Sequence, residues 1–243
     1  MTTAVITGAS SGLGAALALR LASDGVDLVL AGRDADRLQQ TFDAVVAEGV
    51  RAETVVVDVR EGGSAEKIVQ VTRERFGEID ILVNNAGNFH YAAIEETTDA
   101  IIDDTLDVHV KFPVRLTALA VPLIRRGGSI LFVGSNLAHY GSPGVGIYSA
   151  AKAAVEALTR TLAVELGPRG IRVNAVSPGV TRTPMTAGIT ADTVAESAAI
   201  EASPVGRLGA PEELADAMAY LCGPSAGYVN GVSLVIDGGR HLR

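Results

Sequence analysis

Short runs of apolar and β-branched residues recur along the chain, and longer stretches with apolar residues at helical spacing separate them. The runs predict seven buried strands, at residues 3–7, 26–31, 53–57, 79–83, 129–133, 171–176 and 233–237. The intervening stretches predict helices at 15–25, at about 34–48, at 64–76, at about 98–125, around Tyr148, and at 210–222. Because strands alternate with helices, we predict one α/β domain over residues 1–243, a Rossmann-type doubly wound parallel sheet with helices on both faces.

Two segments depart from this regular alternation. Pro113 lies within the long helical region 98–125, where it removes a backbone donor and should bend the helix. Residues 183–205 are rich in Ala, Thr, Ser and Glu, with prolines near both ends. Such a long irregular stretch predicts a mobile lid over a substrate, with one short helix.

A glycine-rich loop follows the first strand. It reads GASSGLG over residues 8–14 and precedes a helical pattern, which is the context of a dinucleotide-binding loop. Glycines let the backbone turn tightly and approach a pyrophosphate, whose charge then meets the N-terminus of the helix. The glycines at 8, 12 and 14 are spaced G-x-x-x-G-x-G instead of G-x-G-x-x-G, and an ordinary tight turn is the alternative interpretation.

Residues after the second and third strands bear on the choice of cofactor. A site for NAD would place Asp or Glu near the end of the second strand to bind the ribose 2′-hydroxyl, but here Gly32 and Arg33 stand there. A guanidinium can bind a 2′-phosphate through two hydrogen bonds, so Arg33 favours NADP(H), unless Asp34 pairs with it. Asp58, after the third strand, could accept a hydrogen bond from an adenine amino group or cap the next helix.

Tyr148 and Lys152 are the leading candidates for chemistry. They are four residues apart at the start of an Ala-rich helical pattern, so the phenol and the ammonium share one face of the helix. A nearby positive charge should lower the Tyr148 pKa from about 10, which makes this phenol a proton donor and acceptor near neutral pH. Ser135 follows the apolar run 129–133, and its hydroxyl could orient a substrate oxygen. The same Tyr–Lys spacing also occurs on solvated helix faces.

Composition narrows the class of protein. The chain has 243 residues, 48% of them hydrophobic, and a formal net charge of −8, which argues against a nucleic-acid partner or an anionic membrane surface. No apolar run is long enough to span a membrane, and the N-terminus reads as a strand instead of a signal peptide. The single cysteine, Cys222, excludes an intrachain disulfide, so we expect a cytoplasmic location. The cysteine and the four histidines show no metal-ligand spacing, so we predict an organic cofactor and no metal.

Four motifs occur together in the order and spacing of the short-chain dehydrogenase/reductase family, which this chain resembles over about residues 3–239. They are TGASSGLG at 7–14, NNAG at 84–87, Ser135 with YSAAK at 148–152, and SPGVTRTPM at 177–185. The resemblance implies a Rossmann fold and hydride transfer between NAD(P)(H) and a carbonyl/alcohol pair. It implies that Tyr148 is the acid/base, that Lys152 lowers its pKa and holds the cofactor ribose, and that Ser135 binds the substrate oxygen.

The resemblance also implies a set of cofactor contacts. Residues of the glycine loop would bind the phosphates, Asp58 and Val59 would line the adenine site, and Asn85 would lie along the cofactor. Thr181 and Thr183 would meet the nicotinamide half, Thr183 at its carboxamide. The predicted cofactor-binding residues are Gly8, Ser10, Ser11, Gly12, Leu13, Gly14, Arg33, Asp58, Val59, Asn85, Ala86, Gly87, Tyr148, Lys152, Pro178, Gly179, Thr181 and Thr183.

His109 is the position at which the sequence departs from the family pattern. The family usually has an Asn on the long helix, which supports a water relay to the Lys, whereas this stretch reads DVHVKFP. Two roles are open for His109, which we include among the candidate catalytic residues. The ring could fill the bend near Pro113 and hydrogen-bond a freed backbone carbonyl. It could instead hold a water and pass protons toward Lys152, because an unperturbed His titrates near 6.5.

Within the family, the sequence most resembles reductases of 3-oxoacyl thioesters. We therefore expect an NADP(H)-dependent enzyme that reduces a carbonyl to a secondary alcohol, or the reverse. Residues 88–91, 137–145 and the lid would select the substrate, and Phe89, Tyr91 and Tyr140 could form an apolar wall or be ordinary packing. An NAD-dependent alcohol dehydrogenase and a non-catalytic NADP(H)-binding module are the alternatives. The resemblance also implies a homo-oligomer, a tetramer or a dimer, associating through the long helices and the C-terminal strand.

Overall fold

Seven strands form one sheet in the computed structural model of the chain, which describes residues 2–243. The strands are Thr3–Thr7 (β1), Asp27–Gly32 (β2), Ala52–Val56 (β3), Ile79–Asn84 (β4), Ile124–Val133 (β5), Arg172–Pro178 (β6) and Ser233–Ile236 (β7). All neighbouring strands are parallel, in the order β3-β2-β1-β4-β5-β6-β7. The order reverses between β1 and β4, which is the topological switch point of a doubly wound sheet. The predicted fold class is confirmed.

Nine α-helices are found in residues 2–243, and they cover both faces of the sheet. They are Gly12–Ser23 (α1), Ala35–Ala47 (α2), Ser64–Arg75 (α3), Asp99–Leu106 (α4), Phe112–Ala120 (α5), Gly146–Leu166 (α6), Ala187–Ala191 (α7), Thr193–Glu201 (α8) and Pro211–Cys222 (α9). Side chains alternate along each strand, so Ile6 packs with α1, α2 and α9 on one face and Val5 with α3, α5 and α6 on the other. No helix in the described part of the chain is long and apolar enough to cross a membrane.

The long helix predicted at 98–125 is interrupted. Helix α4 runs into a π-helical turn, Asp107–Lys111, before α5 begins, and the Phe112 N–H donates to the Asp107 carbonyl five residues earlier. Pro113 has no N–H to donate to the carbonyl four residues before it, and the wider turn accommodates that loss. The expected distortion near Pro113 is therefore present as a π-turn, and it carries His109.

The prediction for the following strand is wrong at its start. Strand β5 begins at Ile124, five residues before the predicted 129–133, and α5 ends at Ala120 instead of 125. The sequence RRGG at 125–128 resembles a turn, and Gly127 does adopt a positive φ of 91°. The pairing with β4 nevertheless continues across it with a register shift, so this turn-like stretch is a bulge inside the strand.

The segment predicted as a lid contains more helix than expected. A 3₁₀ turn at Pro184–Thr186 leads into α7 and then α8, where a single short helix is predicted. Asp192 separates the two helices, because its backbone is extended and its carboxylate caps α8 by accepting from the N–H groups of Val194 and Ala195. The mobility of the segment stays a prediction.

Candidate active site

A cleft of about 760 Å³ opens along the edge of the sheet where the strands have their carboxyl ends. Its volume is in the usual range for a small-molecule site, roughly 300–1,000 Å³. Of the predicted site residues, all but two line it: Gly8, Ser10, Ser11, Gly12, Leu13, Arg33, Asp58, Val59, Asn85, Ala86, Gly87, Ser135, Tyr148, Lys152, Pro178, Gly179, Thr181 and Thr183. The two that do not, Gly14 and His109, lie behind its walls.

The glycine loop is built so that backbone, and not side chains, faces the cleft. Gly8 and Gly12 have positive φ values of 66° and 56°, a conformation that L side chains rarely adopt. Gly14 does not reach the cleft but packs beneath the loop, where an added Cβ would lie 2.3 Å from the Gly8 carbonyl oxygen. The role predicted for Gly14 therefore changes from touching a cofactor to letting α1 approach the loop.

The N-terminus of α1 has free main-chain donors. Its N-cap, Ser11, is extended and makes no side-chain capping hydrogen bond, and the first turn contains no acidic residue. The first N–H groups of a helix have no partner inside the helix, and together with the helix dipole they favour an anion. The uncapped turn beside the two glycines with positive φ fits the pyrophosphate of a dinucleotide.

Asn85 fixes the glycine loop against β4. Its side-chain amide donates to the carbonyls of Thr7 at 2.8 Å and Gly8 at 3.1 Å, and its backbone N–H donates to the Thr7 hydroxyl at 3.0 Å. The residue lines the cleft, as expected. Its amide is however committed to the backbone of β1, so Asn85 holds together the two strands that flank the switch point.

Arg33 faces the cleft without a carboxylate partner among residues 2–243. The competing interpretation, a pair between Arg33 and Asp34, is wrong. Asp34 caps α2 by accepting from the Arg37 N–H at 3.0 Å, and it pairs with the Arg37 guanidinium at 3.4 Å. Within residues 2–243, Arg33 thus makes no ion pair, although its charge helps to lower the pKa of Asp58. It stands at the end of β2, the position at which a dinucleotide site tells a 2′-phosphate from a 2′-hydroxyl.

Asp58 is held by a residue that the sequence analysis did not single out. Arg60 Nε donates to the Asp58 carboxylate at 2.9 Å, and the same guanidinium reaches Asp104 on α4 at 3.2 Å. Its hydrogen bonds and charge lower the pKa of Asp58 to about 2. The side chain does not cap α3, whose N-cap is Gly63, so the capping alternative is wrong.

Tyr148 and Lys152 lie on the inner face of α6, as the spacing predicts. Both are buried, and the Lys152 ammonium is 5.5 Å from the centre of the Tyr148 ring. Phe89 and His109 pack edge-on against the phenol ring, at 5.0 and 5.3 Å between ring centres. Ser135 comes from the loop after β5, and its hydroxyl stands beside the phenol, where it favours the phenolate. The fold therefore brings the predicted Ser, Tyr and Lys to one place.

The protonation of this group differs from the expectation. Burial raises the pKa of Tyr148 to about 12, and the Ser135 hydroxyl offsets this only in part. Burial also lowers the pKa of Lys152 to about 7, so this ammonium does not carry a permanent charge with which to acidify the phenol. Lys152 Nζ donates to the Val133 carbonyl at 2.8 Å. Without a bound cofactor, Tyr148 is a proton donor and not a phenolate near neutral pH.

His109 is neutral in the folded protein. Burial, followed by the charge of Lys152, lowers the pKa of its ring to about 3, which overturns the expectation of titration near 6.5. Nε2 lies 2.9 Å from the Asn88 carbonyl oxygen and 3.4 Å from the Asn88 backbone nitrogen, and we assign the proton to Nε2 because the shorter contact, to a carbonyl that can only accept, requires it. The ring thus bonds a backbone carbonyl, as one of the two predicted roles requires, but that carbonyl belongs to the loop after β4 and not to the helix bend. Its Nδ1 has no hydrogen-bond partner within residues 2–243.

The far half of the cleft is lined by side chains from loops and short helices. Phe89, Tyr91 and Tyr140, offered as a wall or as packing, all face it. Residues of the lid segment contribute Met185, Ile189 and three alanines. Asn88, in the predicted substrate-selecting stretch, also lines the cleft, and further residues that sequence reasoning missed are Arg60, Val108, Asn136, Val180 and Arg240. Asn136 and Val180 adjoin predicted residues, but no spacing or motif indicates Arg240, which reaches the cleft from the turn after β7.

The chain is similar to known oxidoreductases over nearly its whole length. A family profile described as enoyl-(acyl carrier protein) reductase matches residues 8–241. The human dehydrogenase/reductase SDR family member 4 is 36% identical over 243 residues, with 99% of this chain and 87% of the human protein covered. The 3-oxoacyl-(acyl-carrier-protein) reductase FabG of Thermotoga maritima is 37% identical over 241 residues, with 97% of this chain and 96% of that protein covered.

Solved structures agree with this similarity. A short-chain dehydrogenase from Burkholderia cenocepacia in complex with NADP gives a TM-score of 0.93 at 36% identity, covering 98% of this chain and 97% of that one. A dehydrogenase/reductase from Sinorhizobium meliloti gives a TM-score of 0.94 at 41% identity, covering 98% and 94%. The fold and these similarities define a Rossmann-type oxidoreductase. Because the family profile and the relatives cover nearly the whole chain, the chain belongs to the short-chain dehydrogenase/reductase family.

Proposed function

We propose that this chain is an NADPH-dependent reductase that converts a carbonyl to a secondary alcohol, or runs the reverse reaction. The observation that carries the proposal is the grouping of Ser135, Tyr148 and Lys152 in the same cleft as the uncapped start of α1 and the unpaired Arg33. The first three residues can handle a proton at a carbonyl oxygen, and the other two features suit a dinucleotide with a 2′-phosphate.

Each catalytic side chain then acts at the carbonyl oxygen or on its proton donor. A bound reduced nicotinamide supplies the hydride that adds to the carbonyl carbon. The Ser135 hydroxyl hydrogen-bonds the carbonyl oxygen and orients it, and Tyr148 donates its proton to that oxygen as negative charge develops. The high pKa of Tyr148 keeps that proton in place until it is needed. Lys152 lies beside the phenol, where its charge stabilises the phenolate left after proton transfer, and it can bind the cofactor ribose.

Support for NADPH over NADH comes from the end of β2. No acid stands there to accept from a 2′-hydroxyl, and Asp34 is committed to Arg37. A solved relative was crystallised with NADP. Thr181 and Thr183, with Pro178 and Gly179, line the opposite end of the cofactor path, where we place the nicotinamide half.

A 3-oxoacyl thioester is the substrate class that the similarity to FabG favours. The lid segment lies where it can contact such a substrate, because its helices line the cleft. Glu196 of α8 pairs with Arg182 at 2.7 Å, which holds α8 against the chain that precedes the lid. We expect one hydrophobic and one polar end in the bound compound. A cytoplasmic location stays a prediction from composition.

We also propose that the protein is a homotetramer or homodimer. Strand β7 is an edge strand with one neighbour, β6, and its four residues are only partly buried. Tyr228, in the loop before β7, is fully exposed, and Val164 on α6 is 80% exposed. Edges and apolar side chains of this kind are usually covered in the functional assembly. Light scattering on the purified protein tests the mass, and a monomer at micromolar concentration would contradict the proposal.

The direct test of function is a panel of carbonyl compounds with NADPH and, separately, NADH. The panel contains 3-oxoacyl thioesters, cyclic ketones, quinones and sugars, and loss of the reduced-nicotinamide absorbance is followed. We expect turnover with NADPH for at least one class. Tight NADPH binding with no turnover would favour a non-catalytic binding module, and a preference for NADH would favour an NAD-dependent alcohol dehydrogenase.

A further inference from the structure

Positive charge exceeds negative charge on the walls of the cleft. Four cationic side chains line it, Arg33, Arg60, Lys152 and Arg240, against one carboxylate, Asp58. Arg60 is paired with Asp58, and Lys152 is buried and has a lowered pKa. Within residues 2–243, Arg33 and Arg240 make no ion pair with a carboxylate. This local excess contrasts with the overall net charge of −8.

The two unpaired guanidiniums lie at opposite ends of the cleft. Arg33 follows β2, and Arg240 follows β7, five strands further along the sheet order. At about 4.8 Å per strand, the two strands are roughly 24 Å apart. The proposed 2′-phosphate contact accounts for Arg33. The 2′-phosphate contact cannot also account for Arg240, because Arg240 follows β7, two strands beyond β5 and Ser135 in the sheet order.

Arg240 is held in a fixed position. It begins a short 3₁₀ turn, Arg240–Leu242, and Asp237 anchors this turn from below. The Asp237 carboxylate accepts from the backbone N–H groups of Gly239 at 3.0 Å and His241 at 2.8 Å, and from the amide of Asn136 at 3.1 Å. His241 Nδ1 also lies 3.0 Å from both carboxylate oxygens, so Asp237 is engaged by the turn and, within residues 2–243, makes no ion pair with Arg240.

Its surroundings leave part of the Arg240 guanidinium available for an anion. It lies over the Tyr140 ring, 5.6 Å from the ring centre, and donates one hydrogen bond to the Tyr140 hydroxyl, and the ring faces the cleft. A smaller cavity of about 200 Å³ shares Arg240 as a wall, and its other acid, Glu213, already pairs with Arg207 at 2.6 Å. A guanidinium has five N–H donors in one plane, so the donors that Tyr140 does not engage can bind a carboxylate or phosphate.

We propose that Arg240 is an anion subsite for the substrate, so that the carbonyl compound carries a carboxylate or phosphate group that this side chain binds. The inference rests on the proposed function, and in place of the 3-oxoacyl thioester that the similarity favours it selects oxo acids or phosphorylated ketones as the substrate class. Tyr140 forms the floor of the subsite, and the apolar wall of Phe89 and Tyr91 lies along the cleft beside it.

The test compares pairs of substrates that differ only in charge. Each oxo acid of a series with increasing chain length is paired with its methyl ester, and one phosphorylated ketone is paired with its alcohol. We expect kcat/KM with NADPH to be at least about tenfold higher for the anionic member of a pair. In Arg240→Leu, that ratio should fall about ten- to a hundredfold, because a charge-assisted contact is lost. A larger drop for the phosphate pair than for the acids would identify phosphate as the group bound.

Matched variants separate charge from folding. Arg240→Lys keeps the charge without the planar fork and should fall between wild type and Arg240→Leu, and Arg240→Gln should behave like the Leu variant. Arg243→Leu is the control, because Arg243 is exposed at the end of the same turn and its guanidinium donates to the Glu201 carbonyl and does not line the cleft. Thermal unfolding and NADPH titration verify that each variant is folded.

Failure of this inference is distinguishable from failure of the proposed function. Equal kcat/KM for acid and ester, or an unchanged ratio in Arg240→Leu, overturns the subsite while leaving carbonyl reduction standing. If no carbonyl is reduced, calorimetric titration of the NADPH-bound protein with the same oxo acids tests the subsite by itself. Binding that weakens at least tenfold in Arg240→Leu supports it, and binding that does not change, or no binding at all, overturns it.

Discussion

The two ends of the cleft, which we propose bind the nucleotide (the glycine loop and the start of α1) and the carbonyl compound (the far end, with Phe89, Tyr91 and Tyr140), are built from different parts of the fold. At the nucleotide end, main-chain groups form the wall: two glycines with positive φ and the uncapped first turn of α1. At the carbonyl end, side chains form it, from the loops after β4 and β5, from the lid segment and from the turn after β7. The main-chain wall tolerates few substitutions, whereas single side chains of the other wall can be substituted without moving the backbone.

The difference lies in how each wall is held. An added Cβ at Gly14 would meet the Gly8 carbonyl at 2.3 Å, so backbone packing fixes the loop. Tyr91, by contrast, is 72% exposed and Phe89 is 39% exposed. A rigid nucleotide end and an adaptable carbonyl end suit a family in which cofactor chemistry is shared and substrates vary. Substitutions at the two ends should therefore affect different measurements.

The largest effect is expected at Tyr148, where the two ends meet. Tyr148→Phe removes the proton donor but leaves the nucleotide wall intact, so turnover should fall by roughly 10²–10⁴-fold while NADPH affinity is kept. Steady-state rates and a fluorescence titration with NADPH measure the two quantities. Tyr228→Phe, at a fully exposed phenol, is the control. A Tyr148→Phe enzyme with half the wild-type kcat would end the assignment of this residue as the acid.

The next effect belongs to the nucleotide end alone. Arg33→Ala should raise KM for NADPH about ten- to a hundredfold and leave that for NADH nearly unchanged, because only NADPH carries the phosphate. Arg37→Ala, four residues on and paired with Asp34, should change neither. Equal losses with both cofactors would mean that Arg33 is structural and would remove the main support for NADP(H).

A smaller effect is expected where backbone packing holds the loop. Gly14→Ala should lower the free energy of unfolding by about 1–3 kcal/mol, because the new methyl group forces the Gly8 carbonyl and the Asn85 amide to move. Chemical denaturation measures it. Gly62→Ala is the matched control, since nothing lies within 4 Å of its added Cβ and its φ is not positive. Indistinguishable stabilities for the two variants would contradict the rigid-wall interpretation.

The same contrast explains what the sequence reveals. The glycine loop, Arg33 and the Tyr148–Lys152 pair are local signals, in which spacing along one strand–helix unit fixes the geometry. Arg240 reaches Tyr140 only because β7 is added beside β6, which places residues far apart in sequence together. The Tyr148 pKa was predicted in the wrong direction, because spacing reports the neighbouring charge and not the depth of burial.

The last effect depends on pH and is absent near neutrality; it concerns His109, which supports the Asn88 loop at the boundary between the two ends. The folded ring has a pKa of about 3, against 6.5 in the unfolded chain. Between these values the unfolded chain binds a proton that the folded protein does not, so this group makes stability fall as pH falls through that window. The stability of wild type relative to His109→Asn should therefore drop by about 1.4 kcal/mol for each pH unit below about 6.

Urea unfolding of both proteins at a series of pH values measures this difference, and its constancy above pH 7 is the internal control. Asp104, His90 and Lys152, whose charges reach the ring, are present in both proteins, so their own titrations cancel to first order.

Turnover then separates the two roles of the ring. If Nδ1 holds a water for proton transfer, His109→Asn stays active, while His109→Leu loses kcat with its melting temperature intact. If the ring only bonds the Asn88 carbonyl, His109→Leu melts earlier and its kcat per folded molecule is nearly unchanged. A fully active Leu variant with wild-type stability would contradict both roles.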